Sequence, residues 1–266
     1  MGRPEYVDIF NDTMRLCETD SDLAQSLAGS LAEQYMLPAD APLDLEPAQP
    51  KEKPAKVIVS RKRTFEAAEA YKDKRVCVLN FASSKNPGGG VVKGASAQEE
   101  CLCRVSTLYP CLADERIFGS FYEPHRTMFS DTLYNSDLIY TPGVTVFKTD
   151  TALPELRPKN EWFTADVITC AAPNLGAYTK LADGPLERLH TERGERIFLT
   201  AIKHSAEVLI LGAFGCGAFR NPPHVVARAY KTLIQKYGRF FDTIEFAVYC
   251  TPKATSNYDA FARILT

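Results

Sequence analysis

Apolar and polar positions divide this chain into three stretches. Over residues 1–37, Leu16, Leu23, Leu27, Leu31 and Tyr35 recur mostly at four-residue spacing, the period of an amphipathic helix. Asp20 and Ser21 stand where a cap between two helices is expected. Residues 38–56 break the pattern. Pro38, Pro42, Pro47, Pro50 and Pro54 exclude both a helix and a central strand, so this stretch reads as an extended segment. From residue 57 short apolar runs alternate with helical-period stretches. Strands are predicted at 57–59, 75–81, 144–147, 165–171, 208–211 and 243–249. Helices are predicted at about 65–72, 98–112 and 186–206, from the Pro222-Pro223 pair to about 237, and from Ser256 to 265. Val208-Leu209-Ile210-Leu211 is apolar throughout, as in a strand covered on both faces. Alternation of this kind predicts an α/β fold of three layers with a mixed sheet. Residues 1–56 then form a helical amino-terminal extension with its proline-rich segment, and residues 57–266 form the main domain.

Composition narrows the function classes. The chain has 266 residues, 45% hydrophobic and 24% charged, with 31 basic against 33 acidic side chains and a net charge of -2. No apolar run is long enough for a membrane span. Residues 1–20 have no basic start followed by an apolar core, so no signal peptide is expected. Near-neutrality argues against a broad nucleic-acid face. Several of the eight cysteines sit in strand-like apolar runs, as in Val76-Cys77-Val78-Leu79, which suits reduced thiols acting as small hydrophobes. An intracellular setting, cytoplasmic or nuclear, is expected.

Two strand-loop-helix junctions carry the candidate chemistry. The first runs from Asn80 through Asn86-Pro87-Gly88-Gly89-Gly90 to Gln98-Glu99-Glu100; the second is Gly212-Ala213-Phe214-Gly215-Cys216-Gly217-Ala218-Phe219 before Pro222. Each follows the carboxyl end of a strand, where open α/β sheets place ligands. Glycine allows close backbone approach, and a helix start adds unpaired N–H donors, so such loops can hold a diphosphate without Lys or Arg. Neither loop fits the spaced glycines of a dinucleotide fingerprint or the Gly-Lys ending of a P-loop.

Glu99 and Glu100 distinguish the first junction. Acidic residues in a first helical turn commonly just answer the helix dipole. Here they follow a glycine loop closely, and adjacent helical residues point about 100° apart. They are therefore expected to do different jobs, one holding sugar hydroxyls and the other facing a scissile bond.

Gly88-Gly89-Gly90 followed by Gln98-Glu99-Glu100 resembles the signature of the poly(ADP-ribose) glycohydrolases of the shorter microbial type, and Gly-Cys-Gly-Ala-Phe at 215–219 resembles that family's second ADP-ribose loop. The likeness spans roughly residues 57–265, and the helical start also resembles the family's amino-terminal extension. It implies a macrodomain-like fold and hydrolysis of ribose–ribose bonds in poly(ADP-ribose). It also implies that Glu100 is the acid/base and that Glu99 orients the terminal ribose beside Gln98. Glu100 would protonate the departing ribose oxygen and then activate water, through an oxocarbenium-like transition state. Asn86 and Phe219 are candidates for the terminal ribose. Gly215, Cys216, Gly217 and Ala218 are candidates for the diphosphate, and Tyr249 for stacking on adenine. The implied substrates are poly(ADP-ribose) or ADP-ribosylated proteins and the product is ADP-ribose. No cofactor, metal, membrane or direct nucleic-acid contact is expected.

Other readings compete. A non-catalytic ADP-ribose reader shares the glycines but has no use for the glutamates, and a hydrolase of single ADP-ribose units stays open. Cys101, Cys103 and Cys111 with His125 lack the usual zinc spacing. Cys216 as a nucleophile needs a histidine partner.

Overall fold

The computed structural model describes residues 3–43, 48–127, 132–176 and 180–266, so Pro47 lies outside the described residues. Asp20 stops one helix and starts the next. Its carboxylate accepts the N–H groups of Asp22 at 3.0 Å and Leu23 at 3.3 Å, separating α1 (Pro4–Thr19) from α2 (Ser21–Glu33). The helical period does not reach Tyr35, which opens a short strand instead. Its ring lies 5.7 Å from that of Tyr140, and its hydroxyl meets Nε2 of His204 at 2.9 Å.

Seven strands make one mixed sheet: β1 (Tyr35–Leu37), β2 (Lys56–Ser60), β3 (Val76–Phe81), β4 (Leu138–Val146), β5 (Phe163–Cys170), β6 (Val208–Leu211) and β7 (Thr243–Ala247). Their order is β1-β4-β5-β3-β6-β7-β2. The β1–β4 and β4–β5 pairings are antiparallel and the others parallel. Strand β4 is longer than its pattern suggested because Pro142-Gly143 reads as a turn. In the fold these residues form an irregularity between Thr141 and Val144, with Gly143 at φ +61, a place where a strand tolerates proline.

Alternation along the central strands supplies two cores. Cys77 and Leu79 join Ile197 and Phe198 of α8 (Asp183–Lys203) and Tyr230 of α9 (Pro223–Tyr237). Val76 and Val78 face the other way, to Phe65 of α3 (Thr64–Glu69) and to Leu102 and Val105 of α4 (Gln98–Val105). Strand β6 divides likewise, Leu209 and Leu211 to one side, Val208 and Ile210 to the other. Two apolar faces need two covering layers, which gives the three-layer architecture.

The single helix expected over 98–112 is broken. Ser106 bridges to Val146, and the Thr107 N–H donates to the Thr145 carbonyl at 3.0 Å. Pairing to β4 therefore ends α4 before α5 (Leu108–Leu112) begins. Two helical turns follow, α6 (Glu115–Ile117) and α7 (Glu123–Thr127), and α10 (Ser256–Leu265) closes the chain.

The described residues before 57 pack onto the same body. Strand β1 extends the sheet, and Oγ1 of Thr13 in α1 donates to the Arg104 carbonyl in α4 at 2.5 Å. The described end of the proline-rich segment lies along the Gly238–Phe240 turn, with the Ala55 N–H on the Gly238 carbonyl at 3.1 Å. All eight cysteines are free thiols. No described helix is long and apolar enough to cross a membrane.

Candidate active site

Strands β3 and β6 are parallel neighbours, so the loops leaving their carboxyl ends come together. Their register runs only from Val76 opposite Val208 to Val78 opposite Ile210. Beyond that point the strands part, and a cavity of about 560 Å³ opens between the loops. It is lined by both glutamates, by Gly89, and by Gly215, Gly217 and Phe219 of the second loop.

The glutamates occupy the first turn of α4, yet neither caps it: Ala97 is the N-cap, with no side-chain cap bond. Their carboxylates cross to the glycine loop. Oε1 of Glu100 accepts the Gly90 N–H at 2.8 Å. Oε2 of Glu99 accepts the Ser83 N–H at 2.7 Å, and its Oε1 accepts from the Asn80 amide at 3.3 Å. Both residues are buried, 3% and 7% exposed. Burial pushes Glu99 up to about 8 against the backbone N–H groups of Ser83 and Gly88 and the Asn80 amide, which pull it down; the neighbouring Glu100 adds to the rise. At neutral pH the pair therefore carries a proton. Oε2 of Glu100 is buried and accepts no hydrogen bond among the described residues. A buried oxygen left unmatched costs stability, and sites of chemistry are where proteins keep such groups.

Gly89 lies against both acids. At φ +60 it holds a left-handed conformation, and a methyl there would sit 2.5 Å from Oε1 of Glu100 and 3.1 Å from Oε2 of Glu99. The two glycine loops turn out to have different jobs. In the triple glycine the N–H of Gly88 goes to Glu99, that of Gly89 to the Asn86 carbonyl at 2.9 Å and that of Gly90 to Glu100. That loop grips the carboxylates, so it is not the open phosphate nest expected of it. In the second loop the N–H groups of Gly215, Gly217, Ala218 and Phe219 donate to no acceptor among the described residues. They form the nest that suits an anion.

Residues 5–149 match the family model of the microbial-type PARG catalytic domain. The chain belongs to the microbial-type poly(ADP-ribose) glycohydrolases. Among solved structures, a poly(ADP-ribose) glycohydrolase from Thermomonospora curvata is 29% identical, covering 99% of this chain and 100% of that one, with a TM-score of 0.86. Its complex with the inhibitor ADP-HPD is 31% identical over 98% of this chain and 99% of that one, with a TM-score of 0.84. The Deinococcus radiodurans glycohydrolase in complex with ADP-ribose is 31% identical, covering 90% and 96% of the two chains, with a TM-score of 0.78. No curated protein matched.

In this glycohydrolase, Gln98 lines the cavity, but its amide is engaged behind it. Oε1 accepts the Phe81 N–H at 2.8 Å, and Nε2 donates to the Leu79 carbonyl at 2.8 Å and to Thr64 Oγ1 at 3.0 Å. Asn86 is exposed on the cavity wall, its Oδ1 3.3 Å from Nη2 of Arg126. Gly88 and Gly90 are not part of that wall: Gly88 packs under the Tyr109 ring, and Gly90 lies beside Ala95. Cys216 also departs from expectation. Its N–H closes a turn onto the Ala213 carbonyl at 3.0 Å, its side chain packs into the core, and burial pushes its thiol up to about 12. That suits neither a phosphate contact nor a nucleophile. Ala218 and Phe219 line the cavity, the Phe219 ring 6.3 Å from that of Tyr134. Tyr249 follows β7 at 54% exposure, and the Arg63 guanidinium lies 4.3 Å from its ring centre. His125 is engaged by the Phe121 carbonyl and the Asn135 amide oxygen. Among the described residues no group of three or more metal-ligating side chains converges.

Sequence reasoning missed Asn80 and Ser83. Ser83 acts through its backbone, which no side-chain pattern reveals. Asn80 did leave a signal: a fully buried amide inside the apolar run of β3, where a polar residue must have a partner.

Proposed function

We propose that this protein hydrolyses ribose–ribose bonds of poly(ADP-ribose) and releases ADP-ribose, with Glu100 as the acid/base. The observation that carries this reading is Oε2 of Glu100, an unmatched buried oxygen whose carboxylate is pinned by the Gly90 N–H at the cavity wall. The diphosphate lies on the N–H groups of Gly215, Gly217, Ala218 and Phe219, where a nest and the start of α9 favour negative charge. That placement sets the terminal ribose between Phe219, Asn86 and the acid pair. Adenine reaches toward the exposed ring of Tyr249.

In the first step Glu100 gives its proton to the departing ribose oxygen. The bond from that oxygen to the anomeric carbon breaks, and the positive charge spreads over the anomeric carbon and the ring oxygen. In the second step the Glu100 carboxylate takes a proton from water as the water oxygen bonds to that carbon, which restores the acid. Glu99 bonds to ribose hydroxyls, and the proton that the pair carries at neutral pH is the one Glu100 delivers.

The experiment is release of ADP-ribose from automodified polymer without added metal. Glu100→Gln is expected to lower kcat by about 10²- to 10⁴-fold while ADP-ribose still binds. An undiminished rate would overturn the assignment of Glu100. Binding without release by the native protein would favour the reader.

A further inference from the structure

A second cavity, of about 250 Å³, lies behind the amino end of α4. It shares Arg63, Ser96, Cys101, Asp150 and Tyr249 with the main cleft, so the two spaces have a common wall. Three guanidinium groups line it: Arg3 from the start of α1, Arg63 before α3, and Arg104 from α4. Among the described residues none of the three is in ion-pair contact with a carboxylate, although Arg104 is only 1% exposed. Their partners are neutral. Arg104 donates to the Ala95 carbonyl and to Sγ of Cys101, Arg63 donates to the same sulfur at 3.2 Å, and Arg3 to the Tyr6 hydroxyl at 3.4 Å. The Tyr6 ring lies 5.3 Å from the Arg3 guanidinium and 4.4 Å from that of Arg104. Such contacts hold the groups in place without cancelling their charge. Asp150 is the one acidic side chain in the lining, and its Oδ2 accepts the Phe65 N–H at 3.0 Å. Fully ionised, it balances one positive charge of the three.

Like charges that outnumber the counter-charges around a cavity are costly unless an anion joins them. The polymer supplies such anions, with two phosphate groups in every unit. A chain of net charge -2 cannot attract it by overall charge, so attraction must come from local clusters. Guanidinium forks match phosphate oxygens in shape as well as sign. We propose that the arginine-lined cavity is an anion subsite that holds the pyrophosphate of a further ADP-ribose unit of the polymer whose reacting unit fills the main cleft. This rests on the functional reading above and extends it, because the protein then grips two units of one chain at once.

The test uses the whole protein, with Glu100→Gln as the inactive background for polymer binding and ADP-ribose as the single-unit probe. Adding Arg3→Glu is expected to weaken polymer binding about tenfold and flatten its salt dependence, with ADP-ribose binding unchanged. Arg3→Lys keeps most of the affinity. Arg3 is exposed and its backbone, not its side chain, bonds to Gly94, so the fold is retained. In the otherwise native protein Arg3→Glu raises KM on long polymer and spares kcat. Inorganic pyrophosphate competes with polymer less strongly in Arg3→Glu than with Arg3 intact, the remaining competition coming from the main cleft. Unchanged polymer affinity in Arg3→Glu overturns the proposal, as does a parallel loss of ADP-ribose binding. If pyrophosphate binding depends on Arg3 but polymer affinity does not, the cavity takes a free anion and the polymer assignment falls. Failure of the functional reading looks different: the native protein then releases no ADP-ribose from polymer.

Discussion

Glu99 makes the fold sensitive to pH in a direction opposite to that of most carboxylates. Burial holds it at about 8 in the folded chain, against an ordinary value of 4.5. Between those values the unfolded chain has released this proton while the folded chain keeps it. Its contribution is fully present below about 4.5, declines as pH rises, and is lost above about 8. Denaturant midpoints measured across that window should therefore flatten in Glu99→Gln relative to the native protein; a parallel pair of curves would show that Glu99 ionises freely. Gly89→Ala tests the neighbouring constraint. A methyl in a left-handed position 2.5 Å from Oε1 of Glu100 must push the acid away, and a displacement near 1 Å can cost about 10²-fold in rate. We expect kcat to fall while the circular dichroism spectrum stays native. Both glutamates were legible in the sequence because acids beside a glycine loop are chemically conspicuous. Cys216 was misread, because sequence shows a residue in a loop but not which way its side chain or its N–H turns.

Gln98 shows what an element demands of its neighbours. Once β3 and β6 part after Val78, Leu79 and Phe81 have no ladder partners on that side, and the Gln98 amide stands in for a strand by accepting from one and donating to the other. The same divergence that opens the cleft is thus tied off by the residue that starts α4. Gln98→Ala should cost about 1–3 kcal/mol, since it removes both partners at once, seen as a Tm lowered by several degrees. A Tm within a degree of native would mean that water replaces the amide without loss. At this scale, helices and the central strands were readable from period and apolar runs. Strand β4 was cut short because its Pro142-Gly143 irregularity imitates a turn, and the 98–112 helix was overextended because the pairing of Ser106 with Val146 is set by residues 40 positions away, beyond the reach of local pattern.

The whole molecule uses its first helices as part of the site's foundation. Strand β1 is three residues long, too short to show alternation, and its partner in β4 lies about a hundred residues on; a boundary near residue 56 therefore looked natural in the sequence. In the fold, α1 lies against α4. Thr13 bonds to the Arg104 carbonyl across 91 positions, and the Arg3 N–H donates to Gly94 in the loop between the glycines and the glutamates. Cores on both faces of one sheet leave no plane along which residues 1–56 could separate without exposing apolar surface, including Phe10 and Leu37. We therefore expect one cooperative unfolding transition for the full chain, with calorimetric and van't Hoff enthalpies in agreement. A chain starting at residue 57 should lose activity because α4 loses the surface that fixes its amino end, and its remaining transition should broaden and shift to lower temperature. A chain starting at residue 57 that unfolds sharply and still cleaves polymer would show instead that the first 56 residues are an ornament on a self-sufficient catalytic body.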